Sequence, residues 1–302
     1  MASTDSPAGV FSPQSSRTSL AEACRIVSVD GSDAVLIRLG ENAIFHIPQE
    51  GLVIRIARGM DVFDDARKEV AVARWLQTTD VCAAELANYD QPIIADGRPV
   101  TFWRYINSSG QEATTSELGA VLRALHALTP PSAVGLPELD FFDRVDVRID
   151  RATEIPDKDR EFLRRRVEEL RAAYADLVFP LPECAVHGDA HTANLIKTAD
   201  GSAILIDFER FAFGHPEIDL AVTAVERDIG WYSDSDYAAF VEAYGFDVTE
   251  WSGYSVIRDI SELKMATWLM QNAGHGDDVA AEVRVRLDSL RNGGAPRRWK
   301  PF

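Results

Sequence analysis

The sequence predicts an α+β chain made of a small β-rich N-terminal lobe and a larger, mainly helical C-terminal lobe. Three observations carry that expectation. Short β-prone runs, Val35–Leu39, Ala43–Ile47 and Leu52–Ala57, follow one another across Gly and Asn turns. A last strand, Val100–Ile106, runs into the polar stretch NSSGQEATT, the best linker in the chain. Beyond it, apolar residues recur at helical spacing almost to the end. The expected layout is therefore a disordered tail over residues 1–19, a lobe over 20–106, a linker over 107–115 and a second lobe over 116–302.

Each element has its own justification. The opening MASTDSPAGVFSPQSSRTS is rich in Ser, Pro and Thr and has little to bury, which predicts the tail. Ser19 and Glu22 have capping-box spacing, which starts a helix at Leu20. Within the first lobe, Asp64–Gln77 carries Ala66, Val70, Ala73 and Trp75/Leu76 at helical spacing. In the second lobe, Ser116 can cap a helix with the stripe Leu118, Val121, Leu122 and Leu125. A longer helix from Asp157 carries Leu163, Val167, Leu170, Tyr174 and Leu177. Helical patterns return over Asp234–Tyr244, Ser255–Asn272 and Asp278–Leu290.

Composition narrows the function. The 302 residues are 46% apolar and 26% charged, as in an ordinary globular protein with room for two lobes. With 31 Lys and Arg against 48 Asp and Glu, the formal charge is −17, which repels phosphate backbones and argues against nucleic acid as a partner. The same charge attracts cationic small molecules wherever it is focused in a cleft. Cys24, Cys82 and Cys184 form no CxxC pair and read as buried thiols of a reducing compartment. No run reaches the roughly 18 apolar residues of a membrane helix, and no leader pattern opens the sequence, so a cytoplasmic monomer or homodimer with no membrane contact is expected.

The chemistry concentrates between the helical stretches, in CAVHGDAHTANLI and AILIDFERFAFGHPEIDLA. Two apolar runs, Ala185–Val186 and Ala203–Ile206, each end in a charged cluster. If the two pair as a hairpin, Asp189, Asn194 and Asp207 converge. Two carboxylates and an amide oxygen are hard ligands suited to Mg²⁺ that is also held by phosphate. Asp189 and Asn194 have the D-x-x-x-x-N spacing of a kinase catalytic loop. Set against this is a zinc cluster of His187, Asp189 and His191, which lacks the helical i, i+4 frame and leaves Asn194 without a purpose.

Together, His187-Gly-Asp-Ala-His-Thr-Ala-Asn194, Ile206-Asp-Phe-Glu209 and Gly214-His-Pro-Glu-Ile-Asp219-Leu-Ala resemble the aminoglycoside phosphotransferase family. That family is a branch of the protein-kinase-like fold that includes choline kinase, and the resemblance spans roughly residues 20–290. It implies a bilobal kinase-like fold with Asp189 as catalytic base, Asn194 and Asp207 on magnesium, and His187 and Asp219 supporting the catalytic loop. Asp219 also suits a helix N-cap before Leu220. In the small lobe, Arg55 on Leu52-Val-Ile-Arg-Ile-Ala resembles the strand cation that reaches the phosphates, normally lysine, and Glu69 resembles its helix partner. No GxGxxG loop exists, so Gly40-Glu41-Asn42-Ala43 is the candidate phosphate cover. TFWRYI resembles the inter-lobe hinge, where the backbone of Arg104 and Ile106 would meet adenine, with Trp103 and Tyr105 as core aromatics.

The resemblance implies ATP or GTP as donor, Mg²⁺ as cofactor and a small-molecule hydroxyl as acceptor. An amino sugar, an aminocyclitol or another hydroxylated metabolite is expected, and drug resistance is one role the family admits. Two rivals stand beside it: a housekeeping kinase for choline, a thio-sugar, homoserine or a fructosamine, and a catalytically weak nucleotide-binding protein. For the acceptor the sequence offers only candidates. They are the acids Glu226, Asp228, Asp234, Asp236, Glu262, Asp277 and Asp278, and the aromatics Trp231, Tyr232, Trp251 and Trp268.

Overall fold

The computed structural model describes residues 11–293 and 297–302, except for the side chain of His275. The chain divides into two compact units. The first comprises the chain up to Glu112 together with Pro130–Leu136 and Leu195–Phe211, and the second holds Ala113–Thr129, Pro137–Asn194 and Ala212–Phe302. The expected single crossing at 107–115 is therefore corrected, because two later segments return to the first unit. The physical reason is backbone pairing. The Ala84 N–H donates to the Leu205 carbonyl (2.8 Å), the Leu205 N–H to the Cys82 carbonyl (2.9 Å) and the Ser109 N–H to the Lys197 carbonyl (2.8 Å).

The first unit is built on an antiparallel sheet. Its strands are β1 (Val35–Leu39), β2 (Asn42–Ile47), β3 (Leu52–Ala57), β4 (Ile93–Ala95) and β5 (Arg98–Arg104), in spatial order β1-β2-β3-β5-β4. Alternation sets the faces. Phe45, Ile47, Ile54, Ile56 and Phe102 are buried in one core with Leu20, Ala23 and Cys24 of helix α1 (Pro13–Val27). Arg55, opposite Ile44 and Thr101 in the register, instead meets Glu69 of helix α2 (Phe63–Leu76).

Helix α1 begins seven residues before the expected Leu20, capped by Ser12 in a capping box with Ser15 and with Pro13 in its first turn. Residues 13–19 of the expected tail are thus helical, and residues 1–10 lie outside the described residues. Ser19 and Glu22 serve the β4–β5 turn instead. The Ser19 hydroxyl donates to Asp96 Oδ2 and accepts from Arg98 Nη1, both at 3.1 Å, and Glu22 accepts the Asp96 N–H at 2.6 Å. Cys24 and Cys184 are buried as expected, whereas Cys82 is exposed.

The second unit is mainly helical: α3 (Thr115–His126), α4 (Val145–Arg151), α5 (Asp157–Ala175), α6 (Glu217–Asp228), α7 (Asp234–Tyr244), α8 (Tyr254–Met270) and α9 (Asp277–Asn292). Thr114, not Ser116, caps α3, in a reciprocal box with Glu117. The stripe Leu163, Val167 and Leu170 of α5 is buried, as are Ile257, Ile260 and Leu263 of α8. Strand β6 (Cys184–Val186) pairs antiparallel with β9 (Ala212–Gly214), while β7 (Leu195–Lys197) pairs with β8 (Ala203–Leu205) in the first unit. The hairpin expected between the two apolar runs is therefore not formed. The short turn at Asp200–Gly201 lets β8 fold back on its own neighbour β7.

Helices α3 and α7 pack closely at Gly119, where an added Cβ would sit 2.6 Å from the Phe240 carbonyl oxygen. In an exposed helix, alanine would improve on glycine by about 1 kcal/mol. Here a backbone carbonyl blocks the methyl, and overpacking costs of about 1–3 kcal/mol apply instead. Gly119→Ala is expected to lower the urea midpoint of the protein. An unchanged or raised midpoint would show that the two helices can part without cost.

Candidate active site

In the second unit, β6 delivers the chain into the loop His187–Asn194. Gly188 has φ +78, a conformation that glycine adopts without a Cβ penalty, and it turns the chain between buried His187 and Asp189. The loop hangs on one carboxylate. Asp219, wholly buried in the first turn of α6, accepts the His187 N–H at Oδ2 (2.7 Å) and the Gly188 N–H at Oδ1 (2.9 Å). His126 Nε2 of α3 lies 3.1 Å from Oδ2, and its Nδ1 lies 3.0 Å from the Tyr244 hydroxyl of α7. Burial alone would raise the Asp219 carboxyl. The His126 hydrogen bond and charge, with help from His187, outweigh it and hold the group below the usual carboxylate range. Asp219 is the third residue of α6 rather than its cap, since Pro216 holds that position.

Asp189 itself is half exposed, its side chain 52% accessible, with Oδ2 3.8 Å from His191 Nε2. Asn194 is buried and donates from Nδ2 to the Asp189 carbonyl at 2.9 Å. That bond uses the amide nitrogen and leaves the carboxamide oxygen as the atom for a cation. Thr192 Oγ1 lies 2.7 Å from the Tyr232 hydroxyl, fastening the far side of the loop.

The first unit holds a second charged cluster. Arg55 Nη1 donates to Glu69 Oε2 (2.6 Å) and Nη2 to Glu209 Oε2 (3.2 Å). With the Asn42 amide turned so that its oxygen faces the guanidinium, Asn42 accepts from Nε (3.0 Å) and Nη2 (2.8 Å). Asp207 adds its charge to the same cluster, so three carboxylates surround one cation. Burial pushes the Glu69 carboxyl up to about 7 against the pull of Arg55, with Asp207 and Glu209 adding to the rise. Asp207 has φ +65, a left-handed backbone that Asp tolerates and that bends the chain just after β8.

The family profile described as "Phosphotransferase enzyme family" matches residues 38–257. The chain belongs to the phosphotransferase enzyme family. No curated protein sequence matches it. Among solved structures, an amicoumacin kinase in complex with AMP-PNP, Ca²⁺ and amicoumacin is similar at TM-score 0.70 and 12% identity, over 96% of this chain and 98% of that one. A microcompartment-associated aminopropanol kinase is similar at 0.69 and 17%, over 90% and 94%. A choline/ethanolamine kinase family protein from Mesorhizobium loti gives 0.63 and 20%, over 90% and 94%. The fold is thus the α+β bilobal fold of small-molecule kinases.

The structure of this phosphotransferase groups the predicted residues in two sets. Asp189, Asn194, His187 and Asp219 come together in the second unit, and Arg55, Glu69, Asn42 and Asp207 in the first. At the expected hinge, the Arg104 N–H donates to the Glu85 carbonyl at 2.8 Å, and Ile106 is half-buried just past the end of β5. Of the hinge aromatics, Trp103 packs against Phe208, and Tyr105 is exposed and stacks on His46. Gly40 forms the β1–β2 turn, its N–H donating to the Asn42 carbonyl at 3.0 Å. Sequence reasoning missed the roles of Glu209, His126 and Tyr244. Glu209 was signalled by its place in Ile206-Asp-Phe-Glu209, whereas nothing near His126 marks it.

Asp219 should anchor the loop energetically. Because its carboxyl is held low, its stabilisation is present above about pH 3.9, the ordinary value, and is lost as pH falls through the lower folded value. Asp219→Asn is expected to cost about 3 kcal/mol near neutrality, the lower end for breaking a buried charged pair. It should also flatten part of the acid limb of the stability curve. Denaturation series between pH 2 and 7 on both proteins read this, and parallel acid limbs would contradict it.

Proposed function

We propose that this phosphotransferase transfers the γ-phosphoryl group of ATP or GTP to a hydroxyl of a small molecule. The observation that carries the reading is the loop held by Asp219, which bonds the His187 and Gly188 N–H groups and leaves the Asp189 carboxylate accessible. In the reaction, the acceptor oxygen bonds to the γ-phosphorus as the bond from phosphorus to the β–γ bridging oxygen breaks. Asp189 Oδ takes the hydroxyl proton. An Asp with ordinary solvation is a weak base, so its main work is to orient the hydroxyl for in-line attack.

Magnesium fits the donor chemistry. The described residues contain no group of three or more His, Cys, Asp or Glu side chains placed to hold a metal. Mg²⁺ needs no such cage, because it keeps waters and phosphate oxygens and takes only one or two protein ligands. The Asp207 carboxylate and the Asn194 carboxamide oxygen would hold it, and it would neutralise charge on the phosphates. The surplus of carboxylates beside Arg55 supports the same reading, since a divalent cation would balance it. Arg55, fixed by Glu69, Glu209 and Asn42, would present its remaining N–H to a phosphate oxygen. The base would be met by backbone groups of Arg104 and Ile106, at the end of β5 and just past it.

Two measurements test the reading. Asp189→Asn and Asp207→Ala should each fold, and Asp189→Asn should bind nucleotide normally while losing about 10²–10⁴-fold in ADP formation with an acceptor panel. Turnover at the wild-type rate in either variant would remove that residue from the reaction. For Arg55, the planar fork spans carboxylate and phosphate together, which a lysine point charge cannot copy. Arg55→Lys should therefore bind nucleotide several-fold more weakly yet remain active, and Arg55→Ala should bind more weakly still. Equal nucleotide affinity in wild type and Arg55→Ala would show that the guanidinium serves Glu69 and Glu209 alone.

A further inference from the structure

The two halves of the catalytic loop are held by different means. Asp219 bonds the His187 and Gly188 N–H groups, which come before Asp189. In the later half the Asn194 N–H donates to the His191 carbonyl (3.0 Å), and Thr192 Oγ1 lies 2.7 Å from the Tyr232 hydroxyl. The first of these bonds is local, and the second reaches outside the loop. The place of Tyr232 therefore bears on the place of Asn194.

Tyr232 lies on the turn between α6 and α7, outside any helix or strand. Gly230, at φ +89, reverses the chain, and the Trp231 and Tyr232 N–H groups donate to the Glu226 carbonyl (2.7 and 3.3 Å). The Trp231 indole packs in a cluster with Val225, Ile229 and Trp299, and its Nε1 donates to the Trp299 carbonyl (2.8 Å). The turn is thus tied to the segment 297–302, and the two flank a cavity of about 630 Å³ that Glu226 also lines. That segment is itself tied down. Trp299 is buried, and its Nε1 donates to Ser289 Oγ of α9 (3.2 Å). Arg286 of α9 is buried too, and a buried guanidinium is costly unless its donors are paired. It donates from Nε to Glu282 (3.2 Å), from Nη1 to the Met265 carbonyl of α8 (3.1 Å) and from Nη2 to the Lys300 carbonyl (2.7 Å). Glu282 accepts the Lys300 N–H in return (2.9 Å), and Arg297 pairs with buried Glu262 of α8. Releasing the segment would strip partners from the buried charges of Arg286 and Glu262, which makes it a fixed tie rather than a lid.

We propose that the segment 297–302 is a clasp that positions the later half of the catalytic loop, with Trp231 and Tyr232 as the positioning residues that carry its hold to Thr192. This rests on the phosphotransferase reading above, since the position matters only if Asp189 and Asn194 serve the reaction. The route is contiguous within one unit, from Arg286 to Lys300 and Trp299, then Trp231, Tyr232 and Thr192. A small misplacement of an orienting group lowers the rate of the step it orients. The clasp therefore acts on turnover, whereas the Arg55 cluster lies in the other unit and keeps its own bonds.

Hydrogen exchange on the full chain without ligand, read residue by residue by NMR, tests the clasp. Trp231→Phe cuts the bond to the segment, and Tyr232→Phe and Thr192→Val each cut the bond to the loop. In all three the Asn194 backbone N–H should exchange about two- to ten-fold faster, the worth of one hydrogen bond. The His187 and Gly188 N–H groups, held by Asp219, should not change. Thr192→Ser, which keeps the hydroxyl, should match wild type. Tyr232→Phe combined with Thr192→Val should be no faster than either alone, because one bond is lost in each case. Trp299→Ala should resemble Trp231→Phe, and if it does not fold the three milder variants still decide. Turnover is read as ADP formation with Mg·ATP and choline, 1-amino-2-propanol or kanamycin; kcat should fall in the same variants, with KM for ATP unchanged. Wild-type exchange at Asn194 in Trp231→Phe, additive effects in the double variant, Thr192→Ser behaving as Thr192→Val, or faster exchange with wild-type kcat would each overturn the proposal. Absence of ADP formation by the wild type with every acceptor would count against the phosphotransferase reading, and the exchange rates would still decide whether the clasp holds the loop.

Discussion

A single carboxylate, Asp219, organises the chemistry of the helical unit. Fully buried, it would be costly as an ion were it not supplied with two backbone N–H groups and an imidazole. Those same bonds fix the turn at Gly188 and so determine where the side chain of Asp189 can go. The partners come from three helices: Asp219 from α6, His126 from α3 and Tyr244 from α7. The close approach of α3 and α7 at Gly119 is therefore part of the site, because it brings His126 and Tyr244 within hydrogen-bond reach.

The β-rich unit solves a different problem. Arg55 lies on the sheet face covered by α2 and is surrounded by Glu69, Glu209, Asp207 and Asn42. Arginine can stay charged there because its pKa is far above any working pH, and its fork engages several acceptors at once. Burial raises the Glu69 carboxyl to about 7 against the pull of Arg55, and the Asp207 and Glu209 charges add to the rise. The cluster thus gathers more negative charge than its one guanidinium carries.

Acidity across the chain has two distinct meanings. Most acids of the C-terminal lobe are paired, capping or in water, and these account for much of the −17 charge as solubility rather than recognition. Glu226 alone among the seven candidates combines burial, a partnerless oxygen and a cavity wall.

The sequence by itself determined the elements and the short-range motifs. Short β-prone runs between turns placed β2 and β3, and apolar residues at helical spacing located α5 and α7 at their observed starts, because these signals are local. The loop His187–Asn194 and the segment Ile206–Glu209 were legible for the same reason, since their chemistry depends on fixed spacing along the chain. Pairing was not legible. The apolar run before His187 found β9 rather than β8, and Ser19 bonded the Asp96 turn instead of capping a helix, because strand partners and long-range hydrogen bonds compete over the whole chain. The roles of His126 and Tyr244 beside Asp219 were decided only by tertiary structure. Burial and the loss of water give a charge its cost or its function, and no local pattern of residues records which side chains will be deprived of solvent.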